Sequence, residues 1–207
     1  MFHEDRIEVM HKMMAEHPFA TVVSAATGGL SADHIPLVLR GGPTKKGCLR
    51  GHIAAANPLW RDTESEIQIL AVFQGPQSYV TPFWYPSKQT DGKVVPTWNY
   101  VVVHAHGTLR FKRESQWLMD HLAELTRRRE SRRAAPWVIS GAPDAFIASQ
   151  LKGLVGFEVE IKSLLGSWKL CQNKKAADRQ GVALGLVSKD NNEAAAVSRL
   201  VQDRSKD

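Results

Sequence analysis

Tyr100–Lys112 (YVVVHAHGTLRFK) alternates apolar and polar residues with a period of two, which a helix cannot use and a half-buried strand can. Val101, Val103, Ala105, Leu109 and Phe111 fall on one face, and His104, His106, Thr108 and Arg110 on the other. Upstream, Glu66–Gln74 (EIQILAVFQ) reads as a second strand. Between the two, the segment from Gly75 to Asn99 holds Pro76, Pro82, Pro86 and Pro96 together with Tyr79, Phe83, Trp84, Tyr85 and Trp98. That composition predicts a long aromatic loop, which in a compact domain is uncommon unless it is functional or packs on something specific.

The rest of the chain adds strands more than helices. Ile7, Met10, Met13 and Met14 recur at helical spacing and His17-Pro18 ends the run, which predicts an opening helix over 4–16. Phe19–Ala26, Leu30–Arg40, Cys48–Ala54 and Val155–Ile161 read as strands, with turn chemistry at Thr27-Gly28-Gly29 and Gly41–Gly47. Asn57-Pro58 suggests a cap and first residue of a short helix. Helices are expected at 114–129, 144–151, 176–187 and 192–203. Closely spaced strands with helices inserted and appended favour an antiparallel barrel in a mainly β (α+β) fold over a doubly wound parallel sheet. The common nucleotide-binding and hydrolase fingerprints are absent.

Charge separates one segment from the remainder. The net charge is +6, but Arg127–Arg133 (RRRESRR) alone holds five arginines and one glutamate, leaving 22 basic against 20 acidic residues elsewhere. Such a run reads first as a solvated helix face and second as a dock for an acidic partner or DNA backbone. Two cysteines without CxxC spacing suit a reducing compartment and no disulfide framework or structural zinc site. The polar, amphipathic N-terminus lacks a signal-peptide pattern, and no run is long and apolar enough to span a bilayer. A cytoplasmic protein without membrane association is the expectation.

Four blocks carry more specific information. They are Asp33–Leu37 (DHIPL), Gly51–Trp60 (GHIAAANPLW), the run from Phe73-Gln74-Gly75-Pro76 through Tyr79–Lys88 to Val94–Tyr100, and Val155–Glu158 followed by Trp168–Asn173 (WKLCQN). In order and spacing they resemble the PaiB-type family of FMN-binding negative transcriptional regulators, from about residue 1 to about residue 187. The resemblance implies a split β-barrel that binds FMN at a homodimer interface and acts in transcriptional regulation. Residues 1–207 are then one split-barrel domain, with helices inserted at about 114–151 and appended at about 176–203. One stretch departs from the family pattern. Where relatives read Glu-Gly-Lys, this chain has Leu165-Gly166-Ser167, and Cys171 replaces a serine, so a donor and an acceptor are missing there.

A flavin phosphate needs fixed donors, which Arg50, His52, Asn57, Thr97, Lys169 and Asn173 could supply. An isoalloxazine ring needs an apolar slot with polar groups at its edge. Tyr79, Trp84 and Trp98 could form its walls, and Gln74, Asn99 or Gln172 could read the edge. The expected placement puts the phosphate near Arg50-Gly51-His52 and Asn57, and the ring beside Trp98 and Asn99. The same aromatics could instead fill a core or a dimer seam. FMN is favoured over FAD, since nothing marks an adenine half, and over haem, for which His104 or His106 would be the axial ligand. Those two histidines share a face, but no third ligand is evident, so no metal site is expected. A homodimer joined through the 75–100 segment is expected. Alternative readings are a flavin-dependent oxidoreductase of a small molecule and a cofactor-free DNA-binding repressor. The terminal helices superficially resemble a helix-turn-helix, yet Asn192–Val201 carries only one basic residue. Any DNA contact would run through Arg127, Arg128, Arg129, Arg132 and Arg133, and would be weak and salt-sensitive.

Overall fold

The computed structural model describes residues 1–26, 29–61, 66–189 and 191–204; the Thr27-Gly28 part of the expected first turn lies outside them. Its elements are β1 (His3–Glu4), α1 (Ile7–Glu16), β2 (Phe19–Ala26), β3 (Gly29–Pro36), β4 (Val38–Arg40), β5 (Cys48–Ala54), α2 (Pro58–Arg61) and β6 (Glu66–Val80). There follow β7 (Thr97–Lys112), α3 (Ser115–Glu130), α4 (Asp144–Lys152), β8 (Leu154–Lys169), α5 (Ala176–Val187) and α6 (Asn192–Asp203). The strands pair in the order β3-β2-β6-β7-β8-β5-β4, and β1 joins β8. The registered pairs are antiparallel, both between the consecutive strands β2–β3 and β4–β5 and between the distant β1–β8, β2–β6 and β5–β8. No helix among the described residues is long and apolar enough to cross a membrane.

The chain divides into two compact units. One comprises Met1–Met13, Gln74–Val103 and Leu165–Asp207; the other comprises Met14–Phe73 and His104–Leu164. The first unit's core includes Val80, Tyr85, Val101, Val103, Trp168 and Leu170, with Val182 and Leu186 of α5 and Val197 and Val201 of α6. The second unit's core includes Val22, Leu49, Phe73, Ala105, Leu109, Phe157, Val159 and Ile161. The alternation of β7 holds: Val101, Val103, Ala105 and Leu109 are buried, and His106 and Arg110 are exposed. Thr108 departs from it, being buried, because its hydroxyl accepts a hydrogen bond from Gln68 Nε2 at 2.9 Å.

Several expectations change in extent: β8, expected over Val155–Ile161, runs on to Lys169, and the opening helix, expected over 4–16, begins at Ile7 after β1. The run expected as one strand, Leu30–Arg40, breaks at Leu37, whose N–H donates instead to Pro18 O at 2.8 Å. The aromatic segment is shorter than its composition suggested, because β6 continues through Gly75-Pro76 to Val80 and β7 begins at Thr97. Proline is tolerated in β6 because β2 pairs with it only over Ile69–Val72, so at Pro76 no N–H is required on that side. Pro82 and Pro86 then open two 3-10 turns, Pro82–Trp84 and Pro86–Gln89.

Those turns are seated on α5. A Cβ on Gly181 would lie 2.1 Å from Trp84 O, and one on Gly185 would lie 2.3 Å from the Trp84 indole. Gly181 and Gly185 are one helical turn apart, so they open a notch for Trp84 that offsets the roughly 1 kcal/mol each glycine costs a helix. Asp178, buried on the same helix, accepts from Ser87 N at 3.0 Å and Ser87 Oγ at 2.9 Å. Gly181→Leu is therefore expected to destabilise the protein by about 1–3 kcal/mol through overpacking. Urea unfolding would measure it; an unchanged midpoint would mean that Trp84 does not occupy the notch.

Candidate functional site

Within the first unit, a pocket of about 270 Å³ is lined by Phe2, Val95, Thr97, Asn99, Lys169, Cys171, Asn173 and Lys174. Three segments build it. Thr97 and Asn99 open β7 and, being two residues apart, share a face. Lys169 ends β8, and residues 171–174 form the turn that follows.

That turn has an unusual residue at its head. Cys171 has φ 63°, the only non-glycine at positive φ among the described residues. Lys174 N donates to Cys171 O at 2.9 Å. Gln172 is consumed in fixing the turn: its Oε1 accepts from Leu170 N at 2.7 Å and its Nε2 donates to Trp168 O. Gln172 thus serves the backbone and does not line the pocket. Asn99 is fully buried, and its amide meets the thiol from both sides. Nδ2 donates to Cys171 Sγ at 3.3 Å, and Oδ1 accepts from it at 3.4 Å. Beside them the buried Tyr85 hydroxyl has no hydrogen-bond partner among the described residues, and burial, with the Cys171 sulfur next to it, pushes its pKa up.

The pocket's donor set is cationic. Neither Lys169 nor Lys174 has an acidic partner among the described residues; Lys174 Nζ lies 5.1 Å from the Tyr85 ring centroid. With the Thr97 hydroxyl and the Asn173 amide they form a set suited to an anionic oxygen group. The volume is just below the roughly 300–1,000 Å³ of typical ligand pockets, so it fits a head group rather than a whole flavin.

Trp98 projects from the opposite face of β7 to Thr97 and Asn99. There it makes an edge-to-face pair with Tyr79, ring centroids 6.0 Å apart, and donates from Nε1 to Gln77 Oε1. Both rings remain more than 40% exposed, Tyr79 41% and Trp98 47%. They present an aromatic surface outside the pocket.

Arg50, His52 and Asn57 belong to the second unit, where each already has partners. The β5–β8 register sets Arg50 opposite Glu158 and His52 opposite Gly156. Arg50 Nη2 lies 2.8 Å from Glu158 Oε1, and its guanidinium lies 5.2 Å from the Trp117 ring centroid. Trp117 approaches this closely because position 156 is glycine; a Cβ there would sit 2.3 Å from the indole. Burial pushes the Glu158 carboxyl up, but the Trp117 hydrogen bond and the Lys112 and Arg50 charges outweigh it and hold its pKa below the usual range. Asn57 caps α2 by accepting from Leu59 N at 2.8 Å, and it donates to Asp33 Oδ1 at 2.6 Å.

His52 Nδ1 lies 3.1 Å from His121 Nε2, and His121 stacks on Trp117. His121 is fully buried and its Nδ1 has no partner among the described residues. The inexpensive tautomer therefore carries its proton on Nε2, donating to His52, since the other would bury an unpaired N–H at about 1–3 kcal/mol. Burial, followed by the nearby His52 and Arg50, lowers the His121 pKa to about 4, and burial lowers that of His52. The cation of this cluster, Arg50, is already paired with Glu158, so among the described residues it offers an incoming anion no unpaired charge.

Of the residues nominated from sequence, Thr97, Asn99, Lys169 and Asn173 line one pocket. Lys174, Phe2, Val95 and Cys171 complete it. Val95 and Cys171 lie in the blocks that carry the family resemblance, Cys171 as a departure from its pattern, whereas Phe2 and Lys174 carry no sequence signal. The Leu165-Gly166-Ser167 departure holds β1: Ser167 pairs with His3 and Gly166 with Glu4, and a Cβ on Gly166 would lie 2.7 Å from Glu4 O. No group of three His, Cys, Asp or Glu side chains able to hold a metal occurs among the described residues.

Residues 1–163 match the model of a family described as "Putative FMN-binding domain". The chain is similar to the "Protease synthase and sporulation protein PAI 2" of Bacillus subtilis, with 31% identity over 202 residues covering 96% of this chain and 93% of that one. Among solved structures it resembles the FAD and heme binding protein from Mycobacterium smegmatis, with TM-score 0.61 and 14% identity over 89% of this chain and 80% of the other. It also resembles the flavocytochrome Anf3 from Azotobacter vinelandii, with TM-score 0.57 and 10% identity over 86% and 75% of the two chains. At these identities the structural likeness is one of fold, the split β-barrel.

Proposed function

Because this chain belongs to the FMN-binding family matched by its residues 1–163, with FMN as the cofactor, we propose that it is a flavin-binding regulator whose phosphate-holding residues are Lys169, Lys174, Thr97 and Asn173. The observation that carries the placement is the convergence of two lysines, neither with an acidic partner among the described residues, on a pocket that also offers a hydroxyl and an amide. The ring then extends beyond this small pocket onto neighbouring apolar surface. FMN supplies redox chemistry when bound; the residues named here bind and orient it. Arg50, His52 and Asn57 support the fold around Trp117 and α2 instead of the phosphate.

The regulatory part of the reading rests on the resemblance to PaiB-type regulators. A cytoplasmic homodimer fits the same reading, with the exposed Tyr79, Phe83 and Trp98 surface as its seam. Light scattering that gave a monomer at micromolar concentration would remove the dimer. The test of the function is an absorption spectrum of the purified protein, followed by titration of the flavin-free form with FMN. Saturable quenching of flavin fluorescence by tens of micromolar is expected, and its absence would contradict the reading.

Direct DNA binding is expected to be weak, because much of the arginine cluster is already used. Arg128 binds Glu124 at 2.6 Å and Leu39 O at 3.1 Å, Arg133 pairs with Glu130, and Arg129 donates to Ala15 O. Arg127 and Arg132 have no such partner among the described residues. Two phosphate contacts give log affinity a slope of roughly −2 against log salt. A fluorescence anisotropy series returning a much steeper slope, with sequence preference, would place DNA on another surface.

A further inference from the structure

The second unit holds a larger cavity that the flavin reading does not use. Its volume is about 720 Å³, and its walls come from α3 (Met119, Ala123), the segment after it (Trp137, Ile139) and α4 (Ile147, Ala148). The lining is mainly apolar and the size falls well within the roughly 300–1,000 Å³ of small-molecule sites. None of α4's side chains is buried, and Trp137 stands 49% exposed on the cavity wall. A helix with no buried side chain beside an uncovered indole leaves apolar surface in water, which an apolar occupant would cover.

Charge specifies the occupant further. Arg127, in the last turn of α3, lines the cavity and has no hydrogen-bond or ion-pair partner among the described residues. Thr126, Ser131 and Ser140 add hydroxyls to the same lining. Asp144 also lines it and, like Arg127, has no partner among the described residues, while Glu124 and Glu130 lie nearby in α3. Glu124 is moreover held by Arg40 and Arg128, and Glu130 by Arg133. Of the two unpaired charges in the lining, the Arg127 guanidinium is the planar, bidentate donor that matches a carboxylate.

We propose that this cavity binds a medium-chain aliphatic carboxylate, its chain between α3 and α4 and its head group on Arg127. The apolar lining takes the chain, and the guanidinium and hydroxyls distinguish an acid from the corresponding alcohol. A single cavity of this size suits one small molecule better than a helix of a partner protein, which would need a longer groove. Every residue invoked lies in the second unit, so the site stands whether or not FMN occupies the pocket of the first.

The experiment is calorimetric titration of the full-length, FMN-loaded protein with decanoate and with decanol. Decanoate is expected to bind saturably at one site per chain. Arg127→Gln should weaken it by about tenfold or more, the loss of one charge-assisted contact, while leaving decanol unchanged. Asp144→Asn should tighten decanoate, and Ala148→Trp, which fills the cavity, should abolish both. Circular dichroism verifies that each variant is folded; should Ala148→Trp not fold, Arg127→Gln decides. Absence of saturable decanoate binding, or binding indifferent to Arg127→Gln, overturns the proposal. So does a change of association state in Ala148→Trp measured by light scattering, since that would make a second copy of the chain the occupant.

Discussion

Replacing Lys169 and Lys174 together with glutamate is expected to weaken FMN binding by at least about a hundredfold. Each lysine offers a charge-assisted contact worth about 1.5–3 kcal/mol, and each 1.4 kcal/mol is a factor of ten. Reversal adds repulsion between the new carboxylates and the phosphate. Neither lysine has an acidic partner among the described residues, so no ion pair is broken, and the unfolding midpoint is expected to stay close to that of the parent protein. Arg50→Ala provides the contrast. It leaves Glu158 half-buried beside Trp117 without its nearest cation, and so lowers stability while leaving FMN affinity of the folded protein largely intact. Fluorescence titration and urea unfolding of both variants measure the two effects. If Arg50→Ala loses FMN and the lysine variant retains it, the phosphate lies on β5.

Acidification is expected to destabilise the protein through His121. A histidine whose pKa is held below its unfolded value binds fewer protons when folded. Stability is therefore retained above about pH 6.5 and falls as pH drops through the window down to about 4. The gap between those values corresponds to roughly 3 kcal/mol at full extent. His52, lowered by burial in the same sense, steepens the decline. The other groups facing the pair are Arg50, which disfavours protonation of His121, and Glu124, which favours it but is already bound by Arg40 and Arg128. His121→Phe keeps a ring on Trp117 and removes the titrating group. Urea midpoints at pH 7 and pH 4.5 should differ much less for the variant than for the parent. Equal differences would mean that the acid limb belongs to carboxylates such as Glu4, whose pKa is lowered by the Arg6 hydrogen bond and the Arg204 charge, the Arg6 bond acting most strongly and against desolvation.

The sequence was most informative where local periodicity and packing agree. The alternation of Tyr100–Lys112 marked β7, and α5 and α6 occupy their expected ranges because the apolar stripes of Val182, Leu186, Val197 and Val201 meet each other's helix in the core. The long strands were underestimated at their ends. Pro76 and Gly166 look like breakers, and only the absence of a β2 partner at one and the close approach of β1 at the other explain why the strands continue. Site geometry was less legible, because it depends on register and on distant contacts. That Arg50 faces Glu158 follows only from the β5–β8 pairing, and that Asn99 clasps Cys171 follows only from folding residues 72 positions apart together. Lys174 carries no motif of its own and becomes significant through its position on the pocket wall beside Lys169.

The most direct measurement of the phosphate placement compares FMN with riboflavin, which has the same ring and lacks the phosphate. Flavin fluorescence titrations of the flavin-free parent protein and of a Lys169→Ala, Lys174→Ala variant would give four dissociation constants. The parent is expected to prefer FMN over riboflavin by about a hundredfold, the worth of two charge-assisted contacts. The variant is expected to bind both flavins with nearly the riboflavin affinity of the parent. A parent that does not distinguish the two, or a variant that keeps the full preference for FMN, would contradict the account.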